Sequence, residues 1–113
     1  MSGISTHVLD TARGRPAAHV PVTLSRVDDA GETPLGSGET DDDGRQHDLF
    51  PAGAELEAAR YRLTFDTGSY FRSQHVKGFY PQVVIDFEVR DAKEHYHVPL
   101  LLSPHGYATY RGS

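Results

Sequence analysis

The chain has 113 residues, 37% of them hydrophobic and 24% charged, with a formal net charge of −5 and no cysteine. That length holds one domain, residues 1–113, rather than two cores of ordinary size, and the composition is that of a folded chain. The acidic balance leaves no basic stripe for nucleic acid, the lack of cysteine excludes disulfides and thiolate metal sites, and no apolar run approaches the ~20 residues that cross a bilayer.

Taken in order, the chain reads as short strands separated by turns. Its start, MSGISTHVLD, has neither the charged nor the apolar region of a secretory signal, and the closing RGS is not a peroxisomal address, so a soluble cytoplasmic protein is expected. Residues 4–10 alternate, with Ile4, Thr6 and Val8 on one face and Ser5, His7 and Leu9 on the other. DTARGRPA then reads as a loop. In 20–26 the apolar Val20, Val22 and Leu24 oppose Pro21, Thr23 and Ser25. DDAGETPLGSG reads as a turn, and TDDDGR carries an Asp-Gly pair suited to a tight one. GAELEAAR contains helix formers without a long periodic stripe. In 61–66 Tyr61, Leu63 and Phe65 alternate with Arg62, Thr64 and Asp66, and DTGSYFRSQ beyond them suits a turn or two of helix. In 83–90 Val83, Ile85, Phe87 and Val89 alternate with Val84, Asp86, Glu88 and Arg90. Seven or eight half-buried, antiparallel strands predict an all-β sandwich.

The last stretch, HYHVPLLLSPHGYATYRGS, is the most unusual. If Tyr96, Val98, Leu100 and Leu102 face the core, then His95, His97, Pro99 and Leu101 face away, as His7 does in the first strand. An outer face of His, Pro and Leu is odd for solvent and suits cover by a second subunit. Imidazole exchanges protons near neutral pH and also binds metals. His19, His47, His75 and His105 fall in or beside turns, where a solvated surface role is the expectation. The His95-x-His97 pair presents both rings on one side, which fits zinc if a third ligand joins it, and equally fits histidines satisfied by ordinary hydrogen bonds. Arg45 follows three aspartates, so it is either a surface ion pair or a fixed cationic fork for a planar, carbonyl-rich substrate. Tyr107 and Tyr110 make the terminus too rich in specific side chains to be a frayed end. No Ser-His-Asp order, phosphate loop or nucleophile elbow is present.

These residues resemble the 5-hydroxyisourate hydrolases of the transthyretin-like family. The resemblance runs from ISTHVLDTARGRPA through TDDDGR and FYPQVVIDFEV to the terminal TYRGS. It implies a transthyretin (prealbumin)-like sandwich of two four-stranded sheets with one short helix. It also implies a homotetramer with active sites in a channel where dimers meet, no metal or other cofactor, and no nucleic-acid or membrane partner. The implied reaction is hydrolysis of 5-hydroxyisourate to 2-oxo-4-hydroxy-4-carboxy-5-ureidoimidazoline in urate degradation. His7, Arg45 and His97 match the family's catalytic positions, with either histidine able to serve as general base. His7, Arg45, Tyr110 and Ser113 are the implied substrate contacts, and His95, Arg111 and Gly112 stand behind them as support. The rival readings are a transthyretin-like carrier of small ligands without catalysis and a zinc-binding structural protein.

Overall fold

The computed structural model describes residues 3–50 and 53–113. The elements are β1 (Gly3–Asp10), β2 (Arg15–Pro16), β3 (Pro21–Asp28), β4 (Gly31–Glu39), β5 (Arg45–Gln46), β6 (Ala59–Phe65), α1 (Thr67–Ser73), β7 (Val83–Val89), β8 (His95–Ser103) and β9 (Gly106–Thr109). They form two sheets. One runs β4-β3-β6-β7, and the other runs β2-β1-β8-β9 with β5 also paired to β1. The edge of β1 is thus shared between two two-residue strands, so the second sheet has a four-strand frame with one position split.

Alternation builds the core. Ile4 and Val8 from β1, Val22 and Leu24 from β3, Leu63 and Phe65 from β6, Val83 and Val89 from β7, and Val98, Leu100 and Leu102 from β8 all turn inward and are buried. The short helix joins this core through Tyr70 and Phe71. Asp66 caps it, its carboxylate accepting from the Ser69 amide at 3.0 Å. The Tyr70 hydroxyl donates to the buried Asp10 carboxylate at 2.7 Å, tying the helix to the end of β1. Burial and that carboxylate push the Tyr70 phenol up to about 12, so it stays a donor.

Three expectations are corrected. DDAGETPLGSG is mostly the strand β4 rather than a turn. It is an edge strand with little buried surface, where Pro34, Gly36 and Gly38 are tolerated, and a register shift at Leu24/Ser25 absorbs Leu35. GAELEAAR forms no helix: Leu56 is buried, and β6 begins at Ala59, leaving too few residues for a stable one. Nor are all pairings antiparallel, because β1 and β8 lie parallel, from Gly3↔His95 to Asp10↔Leu102.

The outer faces of the two sheets differ. On β6, Arg62 grips Asp86 with two bonds of 2.7 and 3.0 Å and reaches Glu32 at 2.8 Å, a lattice of half-exposed charge that suits water. The β1–β8 face instead carries Leu9, Leu101, Pro99 and the histidines.

Candidate active site

The site begins at the turn between β4 and β5. The Asp41 carboxylate accepts from the amides of Asp43 and Arg45, each at 2.9 Å, and the Asp41 carbonyl accepts from Gly44 at 2.9 Å. Those amide bonds hold the Asp41 carboxyl below the usual range. Gly44 turns the chain at φ 77, and a Cβ there would stand 2.4 Å from the Val8 carbonyl, so only glycine fits. This sharp turn delivers Arg45 to a position directly opposite His7 on the edge of β1. Among the described residues the Arg45 guanidinium engages no ion pair, although three aspartates precede it, and the carboxylate of one of them, Asp41, is occupied with backbone amides.

His7 is fixed by the same turn. Its Nε2 lies 2.9 Å from the Asp43 carbonyl oxygen. A carbonyl only accepts, so Nε2 carries the proton, and in the neutral ring the lone pair is on Nδ1.

One register step away, Ser5 sits opposite His97 and beside His95. The Ser5 hydroxyl is 2.8 Å from His95 Nε2 and 2.8 Å from His97 Nδ1. His97 is half-buried, and desolvation, then the nearby charges of Arg45, His7 and His95, lower its pKa below the ordinary 6.5. At neutral pH His97 is therefore an uncharged base in a locally electropositive setting.

The C-terminus closes the wall. β8 and β9 pair as far as Leu100↔Thr109, and the pairing resumes only at the bridge His97↔Gly112. Pro99 falls in the gap, where its missing N–H removes the bond the ladder needs. Its carbonyl instead accepts from the Thr109 hydroxyl at 2.7 Å. The Gly112 amide donates to the His97 carbonyl at 2.8 Å, which pins the tail beside the imidazole. Arg111 reaches the Glu94 carboxylate at 3.5 Å and lies 4.5 Å above the Tyr96 ring.

Together these elements enclose an open recess of about 200 Å³ lined by Ser5, Thr6, Arg45, His47, His95, His97 and Ser113. The structure thus brings together Arg45, His95, His97 and Ser113, with His7 beside them and Gly112 against the His97 ring. It does not bring Tyr110 there. Tyr110 is exposed and borders a separate cleft with Ile85, Phe87 and Tyr96. Sequence reasoning missed three lining residues, one of them Thr6, which reads as a core-facing position of β1. Ser5 was legible as an outward strand position but carried no chemical signal. His47 reads as a turn residue, and only the β1–β5 pairing folds it over the recess. Among the described residues no three histidine or carboxylate groups are arranged to hold a metal ion.

A two-sheet sandwich with imidazoles and a guanidinium gathered on one outer face defines a transthyretin-like protein with a polar site. Comparison with known proteins makes the assignment specific. The model of the HIUase/Transthyretin family matches residues 4–112, and the chain belongs to that family. It is 46% identical to the 5-hydroxyisourate hydrolase of Caulobacter vibrioides over the full length of both chains. The Klebsiella pneumoniae 5-hydroxyisourate hydrolase superposes with a TM-score of 0.85 at 39% identity, covering 99% of this chain and 100% of the other. Sea bream transthyretin in complex with thyroxine superposes with a TM-score of 0.89 at 30% identity, covering 97% and 94%. The fold is therefore common to proteins named as hydrolases and to a thyroxine-bound one, and the side chains of the site must separate them.

Proposed function

We infer that this chain hydrolyses 5-hydroxyisourate, opening the amide bond of its six-membered ring to give 2-oxo-4-hydroxy-4-carboxy-5-ureidoimidazoline. The observation that carries the reading is a neutral, partly desolvated imidazole, His97, in one recess with the guanidinium of Arg45, which forms no ion pair among the described residues. A ligand carrier has no need of a base poised next to a fixed cation.

The geometry supports the following roles. His97 takes a proton from water through Nε2 as the water oxygen bonds to the amide carbon. Arg45, always charged and forked, binds the carbonyl-rich ring and stabilises the negative charge that grows on the carbonyl oxygen. The tetrahedral intermediate collapses with cleavage of the C–N bond, and the leaving nitrogen takes the proton from the His97 imidazolium. His7 holds the Asp41–Arg45 turn through its bond to Asp43 and contributes its exposed Nδ1 edge to substrate binding. His97 rather than His7 is assigned as the base because its partly desolvated ring lines the recess together with Arg45, whereas His7 stands beside it. Ser113 completes the wall, while His95, Arg111 and Gly112 support it. The steps need only these side chains and water.

The apolar outer face of β1 and β8 supports assembly as a homotetramer, with the recess opening into a channel between copies. Exposed Tyr110, absent from its own chain's recess, is available to that channel as a substrate contact. The cysteine-free sequence suits the cytoplasm. Sedimentation should give four chains of 12.5 kDa each. The decisive assay generates 5-hydroxyisourate with urate oxidase and follows its decay spectroscopically. Decay accelerated by the protein supports the reading, and decay at the spontaneous rate, with thyroxine bound instead, would replace it with the carrier.

A further inference from the structure

We propose that Ser5 is a positioning residue that sets the tautomer of His97 and connects it to His95 as an exit for the proton that each ring opening releases. The proposal rests on the function inferred above and deepens it.

A serine hydroxyl has one proton to donate and lone pairs to accept with. It stands 2.8 Å from one nitrogen of each ring, so it donates to one imidazole and accepts from the other when both rings are neutral. For His97 to act as base through Nε2, its proton must sit on Nδ1. Ser5 Oγ then accepts that N–H and donates its own proton to His95 Nε2. The opposite arrangement would leave the proton on Nε2 of His97 and abolish the base. Ser5 is almost fully buried and its backbone is locked in the β1–β8 ladder, so the hydroxyl cannot swing away to water.

The chemistry gives the chain something to carry. Hydrolysis adds hydroxyl to the carbonyl carbon and a proton to the leaving nitrogen, and the resulting carboxylic acid ionises at neutral pH. One proton is therefore left over in each turnover. If His97 Nε2 accepts it, the Nδ1 proton passes to Ser5 Oγ and the Ser5 proton passes to His95 Nε2. His97 is left neutral with its proton on Nε2, and His95 becomes an imidazolium. His95 is exposed, unlike His97, and yields its proton to water. The base resets when His95 Nδ1 regains a proton from water, the His95 Nε2 proton returns through Ser5 Oγ to His97 Nδ1, and His97 Nε2 releases its proton to water, so one proton leaves in each cycle.

Three variants and one spectrum test this. Ser5→Ala should lower kcat about tenfold, the loss of one hydrogen bond of ~1.4 kcal/mol, with KM within about twofold of wild type. Ser5→Thr, which keeps the hydroxyl, should recover most of kcat. His95→Ala should lower kcat, and added imidazole should restore it. Nitrogen-15 NMR of the free wild-type protein should find His97 protonated on Nδ1 and bare on Nε2, with that preference lost in Ser5→Ala. The spectrum requires no turnover, so it judges the proposal even if the wild type fails to hydrolyse 5-hydroxyisourate. A His97 protonated on Nε2 in the wild type, wild-type kcat in Ser5→Ala, failure of Ser5→Thr to recover kcat, or a His95→Ala defect that imidazole leaves unchanged would overturn it.

Discussion

Replacing Gly112 with alanine adds one methyl group where the tail presses on His97, the proposed base. A Cβ at that position would lie 2.6 Å from Cδ2 of His97 and 3.3 Å from Cγ of Pro99. Unstrained carbon contacts fall at roughly 3.5–4.0 Å. The imidazole must retreat by about 1 Å, because the buried Pro99 blocks movement of the tail toward it. A displacement of about 1 Å in a reacting group costs on the order of 10²-fold in rate, or about 2.7 kcal/mol of barrier. Alanine places no demand on the backbone here, since the φ of Gly112 lies outside the left-handed region, so the effect is steric alone. The assay is kcat on freshly generated 5-hydroxyisourate, alongside a thermal melt. The expected result is a loss of about two decades with a near-native melt, because Gly112 lies outside the core. Wild-type kcat would refute the claim that the tail positions His97.

Arg45→Ala should lower kcat/KM by roughly 10²–10³-fold, as for loss of an oxyanion donor, and should move the acidic limb of the rate profile upward by removing a charge that depresses His97. The acidic limb of kcat/KM in the wild type should fall below 6.5, because the folded His97 holds its proton less tightly than the ordinary ring. The sign carries over to stability: between the folded value and 6.5 the unfolded chain binds more protons, so stability declines as pH drops through that window, which denaturant titrations at stepped pH will register. Leu100, fully buried in β8, should cost about 2–5 kcal/mol when cut to alanine, read from urea unfolding.

The strands that face the core between the two sheets were legible because burial enforces a period of two. Val22, Leu24, Leu63 and Phe65 could not face outward without emptying the core, and the sequence records that constraint directly. β4 was not legible, since an exposed edge strand imposes no alternation and accepts Pro34 and Gly36. The parallel pairing of β1 with β8 was equally hidden, because it joins residues 92 apart through a register that neither strand encodes alone. Outward placement of His7, His95 and His97 followed from parity, whereas their chemistry depended on partners. Ser5 became informative only once two imidazoles stood on either side of its hydroxyl. Arg45 reads as one more charge in an acidic run until Asp41 is seen to spend its carboxylate on backbone amides. Tyr110 lies outside its own chain's recess, on a separate cleft with Ile85, Phe87 and Tyr96, and nothing in the pattern of the terminus signals that placement.

The most direct test is the turnover of His97→Asn on freshly produced 5-hydroxyisourate, with assembly and folding verified by sedimentation and circular dichroism. Asparagine keeps the polarity and much of the bulk of the ring but cannot take up a proton near neutral pH. A loss of about 10²–10⁴-fold in kcat is expected for removal of a general base. Undiminished turnover by a folded, correctly assembled variant would contradict the account.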